Sequence, residues 1–161
     1  MSEYVQFYRG EGTTPIGNFD VNDVLHFDDT MLEKEHGFIQ FAFPNPTLSK
    51  VQPDAASQPF TPEAAQEMLQ DDVVMTRVRQ MVEKMLQFWG MHMAGNAVSI
   101  SDERRFNTKI RRANHNQLRM TRLLIFLKCM GWTGLLDSVK TLLVENVPKN
   151  TKAMRFWKDV V

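Results

Sequence analysis

Two asparagines, a histidine, a glutamine and two arginines crowd into residues 114–124, and side chains of these types hold carboxylates, phosphates or buried amides. At the helical step of about 100°, Leu118, Ile125 and Cys129 fall near one side of the segment. Met120, Leu123, Leu124, Leu127 and Met130 cover the other. Arg119 and Arg122 share the narrow sector between them with Phe126. A cation held there must be paired or sit at the rim of a site, because an unpaired buried ion costs several kcal/mol. The expected partners are acids of the N-terminal half, Asp28, Asp29, Glu33 and Glu35. His36 and Gln40 stand four apart and face one way if their segment is helical. With Asn114, His115, Asn116, Arg119 and Arg122 they make one candidate ligand-binding set, which either lines a pocket or forms a buried structural network.

Other chemistry is sparsely represented. His26, His36, His92 and His115 lie in four different segments, and neither Cys-x-x-Cys nor His-Glu-x-x-His occurs. Arg9-Gly10-Glu11-Gly12 lacks the spacing of a phosphate-binding loop, and there is no nucleophile elbow. Cys129 lies amid apolar residues, where thiols are usually inert. The run Asp28, Asp29, Glu33 and Glu35 reads as a solvated acidic helix face. The expectation is a non-enzymatic protein without metal or cofactor.

Charge is divided along the chain although the net charge is zero. Residues 1–72 carry thirteen acids and three bases, whereas residues 73–161 carry six acids and sixteen bases. Either the halves neutralise one another or the basic half faces an anionic partner. Arg104, Arg105, Lys109, Arg111 and Arg112 form a basic face suited to tracking phosphates, which makes nucleic-acid binding the alternative function. Phe106 lies on the apolar side of that segment, so no platform for stacked bases is evident. A docking role within a larger assembly is a third reading.

These residues need a scaffold, and 161 residues suffice for one domain with its own core. Residues 4–8 alternate loosely and read as an extended aromatic arm. Val21, Val24, Leu25, Met31 and Leu32 give a broken helical period over residues 21–35, stopped by Gly37. Phe38, Phe41 and Phe43 predict a buried strand-like or short helical plug. Four prolines make residues 44–59 a long irregular connection. Thr61 and Pro62 start a helix to about residue 70, and Asp71 or Asp72 starts another, with Val74, Val78, Met81, Met85 and Phe88 inward and Gly90 as its stop. Residues 94–101 read as a loop. Phe106, Ile110 and Ala113 then stripe one helix opposite Arg105, Lys109 and Arg112. Asn114 or Asn116 caps the next, which runs to Met130 and stops at Gly131. Leu135, Leu136, Val139, Leu142 and Leu143 mark a further helix ended by Pro148, and Asn150 caps a last one with Met154 and Trp157 inward. The expected fold is all-α, a single domain over residues 1–161 of about six or seven helices.

The longest strongly apolar run, residues 123–127, is far short of the ~20 residues of a membrane span. The lone cysteine and the absence of a signal-peptide pattern at the start favour an intracellular place, cytoplasmic or nuclear. The oligomeric state is left open.

Four blocks in order give the chain a resemblance to the conserved domain of the opioid growth factor receptor family. They are Phe7-Tyr8-Arg9; Leu32-Glu33 with residues 36–44, His-Gly-Phe-Ile-Gln-Phe-Ala-Phe-Pro; residues 85–90, Met-Leu-Gln-Phe-Trp-Gly; and Arg105-Phe106 with residues 115–124, His-Asn-Gln-Leu-Arg-Met-Thr-Arg-Leu-Leu. Phe41, Ala42 and Gln117 depart from the family's preferred Trp, Leu and Asn, and the sequence ends without the repeat-rich extension of the vertebrate receptor. The resemblance implies a binding module for a peptide, protein or anionic ligand. The family's named ligand is the pentapeptide Met-enkephalin, with a growth-inhibiting role at the nucleus. Domains of this type also occur where there is no opioid system, so enkephalin is not expected to be the main ligand here.

Overall fold

The computed structural model describes residues 1–50, 52–56 and 58–161, with Pro53 by its backbone alone. Within these residues the chain forms ten α-helices, a π-helical turn, a single 3-10 turn and one two-stranded sheet. It divides into two units, Met1–Val82 and Glu83–Val161.

The first unit starts with α1 (Glu3–Arg9), where an extended arm was expected. Tyr4, Val5, Phe7 and Tyr8 are buried, which is one face of a helix. The Ser2 side chain accepts from the Val5 amide, and Gly10 ends the helix at φ 82. Two short helices, α2 (Val21–Leu25) and α3 (Asp29–Lys34), replace the single helix expected over residues 21–35. The cause is two caps: Asp20 forms a reciprocal capping box with Asp23, and Asp28 accepts from the Met31 amide. Gly37 opens α4 (Gly37–Ala42) instead of stopping α3. That helix is the expected plug, with Phe38, Ile39 and Phe41 each 1% exposed.

Aromatic rings make much of this unit's core. Tyr4 and Phe7 meet Phe41 at centroid distances of 4.9 and 5.4 Å, and Phe27 stands edge-on to Phe38 at 5.4 Å. The irregular connection is pinned at its ends, where the Phe60 amide donates to the Asn45 carbonyl at 2.9 Å. Thr61 and Asp71 cap α5 (Pro62–Leu69) and α6 (Asp72–Phe88) as expected, accepting from the amides of Ala64 and Val74. The unit boundary falls within α6.

Tyr8 is wholly buried, and its hydroxyl donates to the Ala42 carbonyl at 2.6 Å. Burial pushes the phenol far above its ordinary value. The folded state therefore holds a proton that the unfolded chain loses above pH ~10. Stability from Tyr8 is fully present below that pH and falls by about 1.4 kcal/mol per unit above it. Urea-unfolding midpoints between pH 9 and 11, values chosen to bracket the phenol's ordinary range of about 10, should drop more steeply for the parent than for Tyr8→Phe. Equal slopes would show that the phenol does not drive the alkaline loss.

The second unit contains a hairpin where a loop was expected: β1 (Met91–Ala94) pairs antiparallel with β2 (Ala97–Ile100), Ala94 opposite Ala97. Gly95, φ 61, is the first of two turn residues, where a II′ turn needs positive φ. Next comes α7 (Glu103–Phe106), which continues as a π-helical turn (Asn107–Arg111). There the Arg112 amide reaches back five residues to the Asn107 carbonyl at 3.2 Å. The helical path ends at Arg111 and Arg112 is extended at ψ 144, so Ala113 lies beyond it, exposed and not part of an apolar stripe.

Asn114 then caps α8 (His115–Cys129). Leu135, Leu136, Val139, Leu142 and Leu143 are the buried face of α9 (Thr133–Asn146), which Val147 and Pro148 terminate. The last helix, α10 (Met154–Asp159), buries Met154 and Trp157 but starts after Ala153, without a cap from Asn150. Helix thus dominates as expected, in more and shorter pieces, and the sheet is an addition. Among the described residues, no helix is long and apolar enough to cross a membrane.

Candidate functional site

The conspicuous polar run forms the N-terminal turns of α8. A π-helical turn releases carbonyls from the usual i→i−4 ladder, and buried carbonyls need donors. Asn114 Nδ2 donates to the carbonyls of Lys109 at 3.0 Å and Arg112 at 2.7 Å, while its Oδ1 accepts from the Asn116 amide at 2.8 Å. Gln117 Nε2 donates to the Ile110 carbonyl at 2.8 Å. One asparagine and one glutamine therefore close the π turn onto α8.

Deeper in, Asn116 Oδ1 accepts from Trp89 Nε1 at 3.1 Å and from Arg119 Nη1 at 3.4 Å. Asn116 and Arg119 are 1% and 5% exposed, so this is a buried cation within a polar network. One turn on, Thr121 Oγ1 accepts from Trp157 Nε1 at 3.0 Å and donates to the Gln117 carbonyl at 3.1 Å. Both indoles thereby find the partner that a buried Trp requires.

Of the candidate set, Asn114, Asn116 and Arg119 come together here. His115 is exposed and Arg122 half-buried on the same helix. His36 precedes α4 and Gln40 lies within it; the amide oxygen of Gln40 is buried and makes no hydrogen bond among the described residues. Gln117, Thr121, Trp89 and Trp157 joined no candidate set, although buried indoles in need of acceptors were a usable signal.

The basic face is partly spent. Arg105 pairs with Asp102 at 3.5 Å, and Arg111 with Glu103 at 2.5 Å. Arg111 also donates to the Asn146 carbonyl at 2.9 Å, satisfying the C-terminal end of α9. Lys109 sits 4.1 Å from the centre of the Phe88 ring. Of the five residues of the basic face, Arg104 and Arg112 are exposed, and Arg105, Lys109 and Arg111 each contact a neighbouring acid, ring or carbonyl.

Among the described residues, no three His, Cys, Asp or Glu side chains are grouped to hold a metal ion. Burial pushes the Cys129 thiol up, against a smaller opposing effect of Lys128, which disfavours the nucleophilic thiolate.

The model of the opioid growth factor receptor conserved region matches residues 2–155. The chain belongs to that family. No curated protein and no solved structure matches it. In this opioid growth factor receptor domain, the motif at residues 115–124 supplies the acceptors for Trp89 and Trp157 and helps to close the π turn.

Proposed function

We propose that the chain is a non-catalytic helical binding domain of the opioid growth factor receptor type, acting on a peptide or protein partner in the cytoplasm or nucleus. The observation that carries this reading is the use of the motif's polar groups: Asn114, Asn116, Gln117 and Thr121 are hydrogen-bonded inside the second unit. Side chains so engaged maintain a shape and are poorly placed to move protons or attack a substrate. The engagement of Arg105 and Arg111 with acids likewise favours a protein partner over a nucleic acid.

Capture from an extract of the native source tests the proposal. A protein partner that stays bound after nuclease treatment and at raised salt is the expected result. Retention that is lost with nuclease and falls steeply with salt would replace the reading with nucleic-acid binding. Calorimetry with Met-enkephalin should show no saturable binding in the ~1 μM range. Saturation there, abolished by a folded Arg119→Ala variant, would make the pentapeptide the ligand.

A further inference from the structure

The hairpin has an open edge, and α9 flanks it with acids. The Ser101 amide donates to the Gly90 carbonyl at 2.9 Å, extending the ladder in which Ala97 pairs with Ala94 and Ser99 with His92. In an antiparallel pair, hydrogen-bonded and non-hydrogen-bonded positions alternate. Ala97 and Ser99 thus turn their main-chain groups toward β1, while Val98 and Ile100 turn theirs to the opposite edge. Among the described residues nothing hydrogen-bonds to the main-chain groups of Val98 or Ile100.

A groove of about 630 Å³ runs between this edge and α9. Helix α9 begins against the turn of the hairpin, where a Cβ on Gly134 would stand 2.9 Å from Asn96 Nδ2. The apolar part of the groove is Val98, Ile100 and Leu142, and its rim carries Asp137 and Glu145. Both acids are exposed. In a unit where bases outnumber acids, Asp102 and Glu103 are consumed by Arg105 and Arg111, whereas Asp137 and Glu145 have no basic partner among the described residues.

We infer that this groove receives an extended segment of a partner protein that adds a strand to β2 and carries Lys or Arg at positions i and i+4. The two acids are eight helical residues apart, about 12 Å along α9. Four residues of a strand span about 13 Å and return the side chain to the same face. Residue i+2 of the segment, on that same face, lies over Leu142 and is apolar. Main-chain bonds to Val98 and Ile100 supply the strand addition, and the paired charges select the sequence. The inference rests on the binding-module reading and adds the partner's chemistry and its place of docking.

The probe is the end-blocked peptide Thr-Lys-Thr-Val-Thr-Lys-Thr, titrated into the uniformly 15N-labelled full chain. Saturable shifts centred on β2 and α9, with slowed hydrogen exchange at the Val98 and Ile100 amides, are expected. Joint replacement Asp137→Lys and Glu145→Lys, both at exposed positions, should weaken binding by about tenfold or more with an unchanged circular dichroism spectrum. A peptide with both Lys replaced by Glu should not bind. No saturation, shifts elsewhere, or equal binding of the charge-reversed peptide would overturn the inference. So would concentration-dependent shifts of the same amides without peptide, since a second copy then fills the groove. A native partner captured equally by the parent and the double variant would remove the groove and leave the binding-module reading standing; loss of all capture by the parent would remove that reading itself.

Discussion

Asn116→Ala is expected to cost about 2 to 4 kcal/mol of stability, read as a lower urea midpoint at unchanged slope. The Asn116 carboxamide oxygen accepts from the Trp89 indole and from Arg119, and all three residues are nearly inaccessible to water. Removing one acceptor leaves a buried neutral donor short, at about 1 to 3 kcal/mol, and takes one hydrogen bond from a buried cation, which is more expensive. Against a total stability of about 5 to 15 kcal/mol, this is a large fraction. Asn116→Asp keeps an oxygen in the same place, next to a cation, and should recover most of the loss. Leu118→Ala, two residues along the same helix at a side chain 70% exposed, should stay within ~0.5 kcal/mol of the parent. An Asn116→Ala variant as stable as Leu118→Ala would show that the network carries no stability.

The contrast between Asn116 and Leu118 also shows where sequence patterning runs out. Helical geometry placed Leu118, Ile125 and Cys129 on one side of α8, but the buried side of that stretch includes Asn116, Gln117 and Arg119. The polar residues are inside because other elements satisfy them: Asn116 meets Trp89, 27 residues away, Gln117 reaches back to the Ile110 carbonyl in the π turn, and Thr121, one turn further along α8, meets Trp157, 36 residues away. No local period encodes such pairings. The motif itself was legible as unusual, while its role depended on contacts that only the fold supplies.

Longer elements could be read more fully. Helices α5, α6, α8 and α9 have apolar residues at helical spacing, and Thr61, Asp71 and Asn114 cap three of them by the expected chemistry. Short elements were ambiguous for a physical reason. In α1, the five residues 4–8 fit both a strand's alternation and a helix turn, and the Ser2 hydrogen bond to Val5 tips the balance. Between α2 and α3, His26 Nδ1 approaches the Asn22 carbonyl at 2.7 Å while Asp28 starts a new helix, so one broken period became two helices. The hairpin was masked by small and polar residues around Gly95-Asn96, although that dipeptide is a turn signal.

Gly90→Ala is expected to be the more damaging of two glycine substitutions that look alike on paper. Gly90 and Gly131 both follow helices at positive φ, 85 and 72. An alanine at either position must adopt the left-handed region, at a cost of roughly 1 to 2 kcal/mol. At Gly131 nothing lies within 4 Å of the added Cβ, so that cost is the whole of it. At Gly90 the Cβ would fall within 3.0 Å of the Asp102 carbonyl oxygen and the Phe106 amide nitrogen. Both are backbone atoms of the single turn of α7, one at its N-cap and one at its last residue, fixed by the Asp102 cap on Arg105 and by the Phe106 amide's bond to the Asp102 carbonyl. They cannot swing aside as a side chain would. The Gly90 carbonyl also accepts from the Ser101 and Asp102 amides, so moving the backbone to relieve the clash breaks the end of the hairpin ladder. Overpacking of this kind adds about 1 to 3 kcal/mol to the conformational cost. The sum is on the order of 4 kcal/mol, against about 1 to 2 kcal/mol for Gly131→Ala. Urea unfolding of the two variants side by side reads the difference, and equal losses would mean that the approach of α7 to Gly90 is looser than the structure shows.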